Sequence, residues 1–262
     1  MKNRNRTQGF TLIEVIIVIA ILAIVAGAMA PLAARMIDST RMDTTQKRQQ
    51  LIFHAIMGDP AAPGAGFLSD IGRVPGPSLV ELATSASLPL YTLDPCGVGA
   101  GWRGPYILEG VDSSGKPLDG WGKPMDFMNG QIRSGGQDQN LNTAADNIVY
   151  PSTPITMNNI TSGLNLNVLA LSTNTSPPMF VHAGGQIIVY FAQDGVMQTQ
   201  TVVSGSGVYT YPSTGFPALP QGIHAIAVRA DPDGPGPLPV VTNTITAYCP
   251  GGSTVYQTVA LR

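Results

Sequence analysis

Residues 10–34 form an apolar run with a single ionisable side chain, Glu14, entered from a short polar stretch that carries Lys2, Arg4 and Arg6. At a rise of about 1.5 Å per residue such a run makes roughly 37 Å of helix, enough to cross a hydrocarbon core of about 30 Å. Cations before the run, with only Arg35 right after it, place the N-terminus in the cytoplasm and everything beyond residue 40 outside. The run exceeds the 7–15 apolar residues of a secretory signal core, although Ala26-Gly27-Ala28-Met29-Ala30 offers small residues of the kind found at a cleavage site. An acid near the start of a membrane helix is costly without a partner, so Glu14 requires an explanation.

The rest of the composition narrows the choices. The chain is 44% hydrophobic and 11% charged, which excludes disorder as its main state. Fourteen basic against 16 acidic residues leave a net charge of -2 and no broad basic surface for nucleic acid. Thirty glycines and 22 prolines favour turns and short strands over a helical bundle.

Beyond the apolar run the pattern turns amphipathic, with Arg35, Asp38, Arg41, Asp43, Lys47 and Arg48 among Met36, Leu51, Ile52, Ala55 and Ile56. The helix is expected to continue to Met57 and stop at Gly58-Asp59-Pro60, for a length of roughly 72 Å. Pro31, with Gly27 before it, predicts a bend or local melting near residues 27–31. Residues 59–150 read as short elements punctuated by glycine and proline, with a helical candidate at Ser78–Ala86. Residues 151–262 are almost free of charge and show strand patterning at 164–171, 186–191, 196–203, 222–229 and 242–248. A small antiparallel β-sandwich fits them, and the fold class expected of the whole is α+β.

Gly9-Phe10-Thr11-Leu12-Ile13-Glu14-Val15 closely resembles the processing site of type IV pilins and pseudopilins. The resemblance implies a leader of residues 1–9, cleavage by prepilin peptidase after Gly9, and N-methylation of Phe10. It also implies that Glu14 pairs with the N-terminal amine of a neighbouring subunit as an inner-membrane platform assembles the filament. That pairing accounts for the acid physically, because a carboxylate in low dielectric is tolerable beside a cation. The plainer alternative is a single-pass anchor with a stray glutamate.

Gly104-Pro105-Tyr106 followed by Asp119-Gly120-Trp121-Gly122-Lys123-Pro124 resembles the major pseudopilin of type II secretion systems. The bland reading of the same residues is that Trp102 and Trp121 fill a small core. In that family a calcium loop stands where this chain has residues 134–148, and the matching positions are Gly135, Asp138 and Asp146. Gln137, Gln139 and Asn147 depart from the usual pattern, and fewer carboxylates mean weaker binding. The alternative is a turn whose Asx side chains cap its own backbone. Residues 219–226 look like the entry to a late strand of immunoglobulin-like or carboxypeptidase-regulatory-like sandwiches.

The resemblance thus implies an inner-membrane subunit, its residues 10–58 the helix and 59–150 a pseudopilin-like head in the periplasm, with an immunoglobulin-like extension over 151–262. Its partners are itself, other pilins or pseudopilins, the peptidase and the platform, and its end state is a periplasmic or extracellular filament. A second reading is a surface-displayed adhesion module, with Tyr190, Phe191, Tyr209, Tyr211 and Phe216 as a platform. No enzyme is expected: His54, His182 and His224 lack partners at ligand or catalytic spacing. Cys96 and Cys249 sit among turn formers, and either a disulfide in an oxidising compartment or two unrelated thiols is open.

Overall fold

A computed structural model of the chain describes residues 10–59, 62, 64–143, 146–212, 218–232 and 241–261. Helix α1 spans Leu12–Met57, 46 residues, and closes at Gly58, whose N–H donates to His54 O at 2.8 Å with φ 87°. The glycine stop read from the sequence falls at the observed residue. The helix runs without interruption through Pro31, so the expected local melting does not occur. Pro31 removes one donor from the ladder, and the turns on either side hold the helical register.

The two halves of α1 have different surroundings. Its apolar half is not buried by any described residue, with Ile16, Ile19, Leu22 and Ile24 all more than half exposed. From residue 45 onward Thr45, Gln49, Ile52 and Ile56 make a buried stripe at helical spacing. The head packs on that stripe through polar as well as apolar contacts. Arg48 donates to Leu118 O and Asp119 O at 2.8 Å each, Gln49 Nε2 to Ile132 O and Ile148 O at 3.1 and 2.8 Å, and the Thr45 hydroxyl accepts from Gly120 N. Gly120 is needed there, because a Cβ would come 2.1 Å from Arg41 O.

The head contains α2 (Phe67–Ile71), a single 3₁₀ turn (Val80–Leu82), the two-residue pair β1 (Thr92–Leu93) and β2 (Gly99–Ala100), and an antiparallel sheet of β3 (Asp126–Met128), β4 (Gln131–Ser134) and β5 (Ile148–Tyr150). Its core gathers Ile52, Ile56, Phe67, Ile71, Leu82 and Ile132. The helix expected at Ser78–Ala86 shrinks to that one turn, because Leu79 and Ala86 take left-handed φ values of 58° and 48°.

A short helix, α3 (Met157–Ile160), leads into the C-terminal sandwich. One sheet centres on β6 (Thr161–Ser172), flanked on one edge by β7 (Met179–His182), then β10 and β11 in turn along its length, and on the other by the last strand of the chain. The second sheet has β8 (Gly184–Gln193) and β9 (Val196–Ser204) on one side. The remaining strands are β10 (Val208–Tyr211), β11 (Leu219–Pro220), β12 (Gly222–Asp231), β13 (Val241–Cys249) and β14 (Thr254–Leu261), and the order of the second sheet is β13-β12-β8-β9. Strand β6 alternates buried and half-buried along its full length, sending Leu164, Leu166, Val168 and Ala170 into a core shared with Ile187, Val189, Ile226 and Val228 of the facing sheet. Every expected strand segment lies inside an observed strand. The sandwich is not wholly antiparallel, however: β14 pairs with β6 in parallel, Val255 opposite Leu164.

Head and sandwich meet at α2. Gly195, in the β8–β9 turn, donates to Ile71 O at 2.9 Å, and a Cβ on Gly72 would lie 1.9 Å from Ala192 O. Gln221 Nε2 donates to Met57 O at 2.7 Å, so the sandwich also touches the end of α1. Arg73 spans the junction, 2.7 Å from Glu81 and 2.8 Å from Asp194.

Candidate functional site: the N-terminal segment and the polar loop

Phe10 is 87% exposed, and Gly9 lies outside the described residues. Thr11 is the N-cap of α1: its hydroxyl accepts from Glu14 N at 3.3 Å, while the Glu14 carboxylate accepts from Thr11 N and Thr11 Oγ1 at 3.0 Å each. This reciprocal capping box satisfies donors that a helix start leaves unpaired. Threonine three residues before glutamate, at the mouth of an apolar run, is its sequence signature, and the assignment of Glu14 to assembly alone overlooked it. The acid has an intramolecular partner in the single chain and stands on the surface of the half of α1, residues 12–34, whose other side chains are all apolar.

Residues 4–30 match the family model of the prokaryotic N-terminal methylation motif.

The match supports a type IV pilin-like prepilin of the kind processed by prepilin peptidase, and the motif belongs to a structural rather than a catalytic family. Among the described residues α1 is the one helix long and apolar enough to cross a membrane. Together the motif and the helix are consistent with a single-pass inner-membrane anchor. No curated protein and no solved structure matches the chain.

The polar loop between β4 and β5 brings two of the expected ligand positions together. Asp146 Oδ2 accepts from Asp138 N at 2.8 Å, and a Cβ on Gly135 would lie 2.5 Å from Asn140 N. Asp138 Oδ1 accepts from Asn140 N at 2.8 Å, Asp138 Oδ2 accepts from the Thr143 hydroxyl, and Asn140 Oδ1 accepts from Asn142 N at 3.1 Å. The Thr143 hydroxyl and then the Asn140 N–H hold the Asp138 carboxyl below its usual range. Asx capping thus accounts for much of the loop. Among the described residues two oxygens remain: Asp146 Oδ1 and Asn147 Oδ1 are buried with no hydrogen-bond partner there. Orphaned hard oxygens on consecutive residues suit a hard cation, and Asn147 was read from the sequence only as a departure. No cluster of three His, Cys, Asp or Glu side chains occurs among the described residues, so backbone and amide oxygens would have to complete a shell. The loop stands beside α1, where Gln137 Nε2 donates to Asp38 at 3.0 Å above a groove of about 580 Å³ that Met42 and Trp121 also line.

The landmark residues of the head are structural. Trp102 Nε1 donates to Glu81 O at 2.7 Å, and the ring meets Tyr106 edge-on. Asp119 caps the turn that follows it, accepting from Trp121 N and Lys123 N at 2.9 Å each and from Ser134 Oγ at 2.7 Å. Asp70, 3% exposed, accepts from Tyr106 Oη at 2.8 Å and pairs with Arg103 at 2.9 Å. Burial pushes the Asp70 carboxyl up against the opposing pull of those two partners.

Cys96 and Cys249 are both free thiols, the second of the two arrangements left open by the sequence. Cys96 is half-buried in a head turn, where its N–H donates to Asp94, while Cys249 packs in the sandwich core and burial lifts its thiol to about 12. His224 is 2% exposed, its Nε2 2.7 Å from Pro220 O, and burial drives its pKa down to about 4. The aromatic platform does not assemble: Phe191, Tyr209 and Tyr211 are core residues, Tyr190 is half-buried on the opposite face of its strand, and Phe216 lies outside the described residues.

Proposed function

We propose that this chain is a structural subunit of a type II secretion pseudopilus or a related type IV pilus-like filament. The observation that carries the reading is the first half of α1: an exposed, apolar helix whose one acid, Glu14, lies within the methylation motif. Before assembly lipid covers that surface. In the filament the same helices from neighbouring subunits replace lipid, and Glu14 exchanges its bonds to Thr11 for the amine of an adjacent Phe10. The head and sandwich stay in the periplasm and make lateral contacts. Because the sandwich touches Met57 O at the far end of α1, it stands on the side of the head away from the membrane. The peptidase, an assembly platform and other pilin-type subunits are the partners of this cycle.

Calcium is proposed as the occupant of the 134–148 loop, held by Asp146, Asn147 and Asp138 with the carbonyl of Gly135. The ion would cross-link a loop that otherwise rests on its own Asx turns and would fix it against α1. Asp138 has both oxygens engaged already, which predicts weak binding.

Glu14→Ala in cells carrying the assembly machinery is the test. The variant should be inserted and cleaved normally yet be missing from filaments, with incorporation reduced at least tenfold by immunoblot of sheared material. Filaments of normal yield from Glu14→Ala would refute the assembly role.

A further inference from the structure

The sandwich has an unusual surface for a domain with open sheets. Its charged residues over 161–261 are Asp194, Arg229, Asp231 and Asp233, and none lies on β9, β13 or β14. Among the described residues those three strands are edges: the second sheet ends in β13 on one side and β9 on the other, and β14 has β6 as its one strand partner. Edge strands in soluble proteins are ordinarily guarded by lysine, proline, bulges or brevity. Here β9 and β13 each run 9 residues and β14 runs 8, with β-branched side chains throughout and no proline. Thr199, Thr201 and Val203 on β9, and Thr242, Thr244 and Thr246 on β13, are exposed. The head reaches this hairpin at its turn, where Gly195 bonds Ile71, and through β2, while Thr199, Thr201 and Val203 stay exposed.

The geometry of the two edges suits each other. All three pairings in the second sheet are antiparallel, and with four strands β13 and β9 run in opposite directions. A copy displaced sideways without inversion therefore presents its β9 antiparallel to the β13 of its neighbour. The first sheet obeys the same rule, since β14 runs along β6 while β10 and β7 run against it. Strands β13 and β14 adjoin on one side of the sandwich and β9 and β10 on the other, so both sheets can continue at one joint. Equal length lets β9 and β13 pair along their full extent, and neither side carries a charge that would repel its counterpart.

We infer that the sandwich polymerises head to tail with a second copy of this chain, β13 of one copy pairing with β9 of the next to make a sheet that is continuous across subunits. This rests on the filament reading above and supplies a lateral contact in it. Such a contact is heterologous and does not close on itself, as a filament requires. Four strands advance the joint by about 19 Å and turn it by about 80–100°, so successive copies wind around an axis. Pairing without charge makes the contact insensitive to salt.

The experiment is oxidative cross-linking of the full-length chain in cells that assemble it, in a Cys96→Ser background. Thr201→Cys is combined in turn with Thr242→Cys, Thr244→Cys and Thr246→Cys, since directly opposed residues on antiparallel edges have Cβ atoms within about 5.5 Å, close enough for a disulfide. One combination should give a ladder of covalent dimers, trimers and higher multimers, while each single cysteine gives nothing beyond a dimer. Adding Thr199→Lys to the Thr201→Cys, Thr244→Cys pair together with Thr246→Lys sets like charges along the joint and should remove the ladder. Filaments present but no ladder from any combination would overturn the strand pairing and leave the filament reading intact. Absence of both would overturn the two together. An adduct to a different protein in place of the ladder would overturn the choice of a second copy as partner.

Discussion

The head and the sandwich are held together by different physics, although they belong to one chain and touch at α2. The head has a small core and depends on polar fastenings: Asp119 under its turn, Asp70 between Arg103 and Tyr106, and Gln49, Arg48 and Thr45 reaching from α1 to backbone carbonyls and a glycine N–H. The sandwich has a larger, almost charge-free core of alternating strand residues. A region that must sit on an exposed helix gains its placement from directional hydrogen bonds, whereas two sheets facing each other need only complementary apolar faces. Both tryptophans of the chain, Trp102 and Trp121, lie in the head. Tryptophan fluorescence therefore reports on the head. In far-UV circular dichroism the 46 residues of α1 add a large helical signal whose membrane-spanning half detergent preserves. The β-sheet change measured against that background reports on the sandwich, and the contrast can be followed in detergent-solubilised protein.

Leu166→Ala should have the largest effect, removing a fully buried side chain from the centre of β6 at a cost of about 2–5 kcal/mol. The dichroism transition should move to lower denaturant, with a smaller shift in fluorescence. Simultaneous loss of both signals would show that the head cannot stand without the sandwich and would erase the distinction. Asp119→Ala should do the reverse. Three acceptor bonds disappear from a buried carboxylate, for a loss of roughly 3 kcal/mol seen first in tryptophan fluorescence.

A pH dependence separates the two regions further. His224 has its pKa lowered by burial to about 4, against 6.5 when free. Between those values the unfolded chain takes up a proton that the folded sandwich refuses, so the sandwich loses stability as pH falls from about 6.5 to 4, by up to roughly 3 kcal/mol. Denaturation midpoints followed by dichroism across that range should show the slope, and His224→Phe should flatten it. A slope unchanged in the variant would assign the dependence to the carboxylates of the head. The smallest effect is expected at the junction: Asp194 is 66% exposed, so Asp194→Asn should cost less than about 1 kcal/mol, and added salt should abolish the difference.

Much of the architecture was legible because the signals were local. Gly58 marked the end of α1, and the strict alternation of Leu164, Leu166 and Val168 announced β6. What escaped depends on distant contacts. Helix α2 has only five residues between Gly66 and Gly72, and Phe67, Leu68 and Ile71 are buried where the head core meets the sandwich, a setting that distant contacts create. Strands β7 and β10 have four residues each and borrow their order from β6, and the parallel pairing of β14 needs a crossover that no local pattern announces. The functional residues divide in the same way. Gly9, Phe10 and Glu14 stand in one contiguous motif, and Asp138 and Asp146 in one loop. The unpaired oxygen of Asn147 is visible only once the chain is folded.

The most direct test of the filament reading is electron microscopy of sheared surface and periplasmic material from cells assembling the chain, paired with mass spectrometry of the subunit N-terminus. The account predicts filaments whose subunits begin at N-methylated Phe10. An uncut chain beginning at Met1, monomeric in the membrane and missing from every filament, would contradict it.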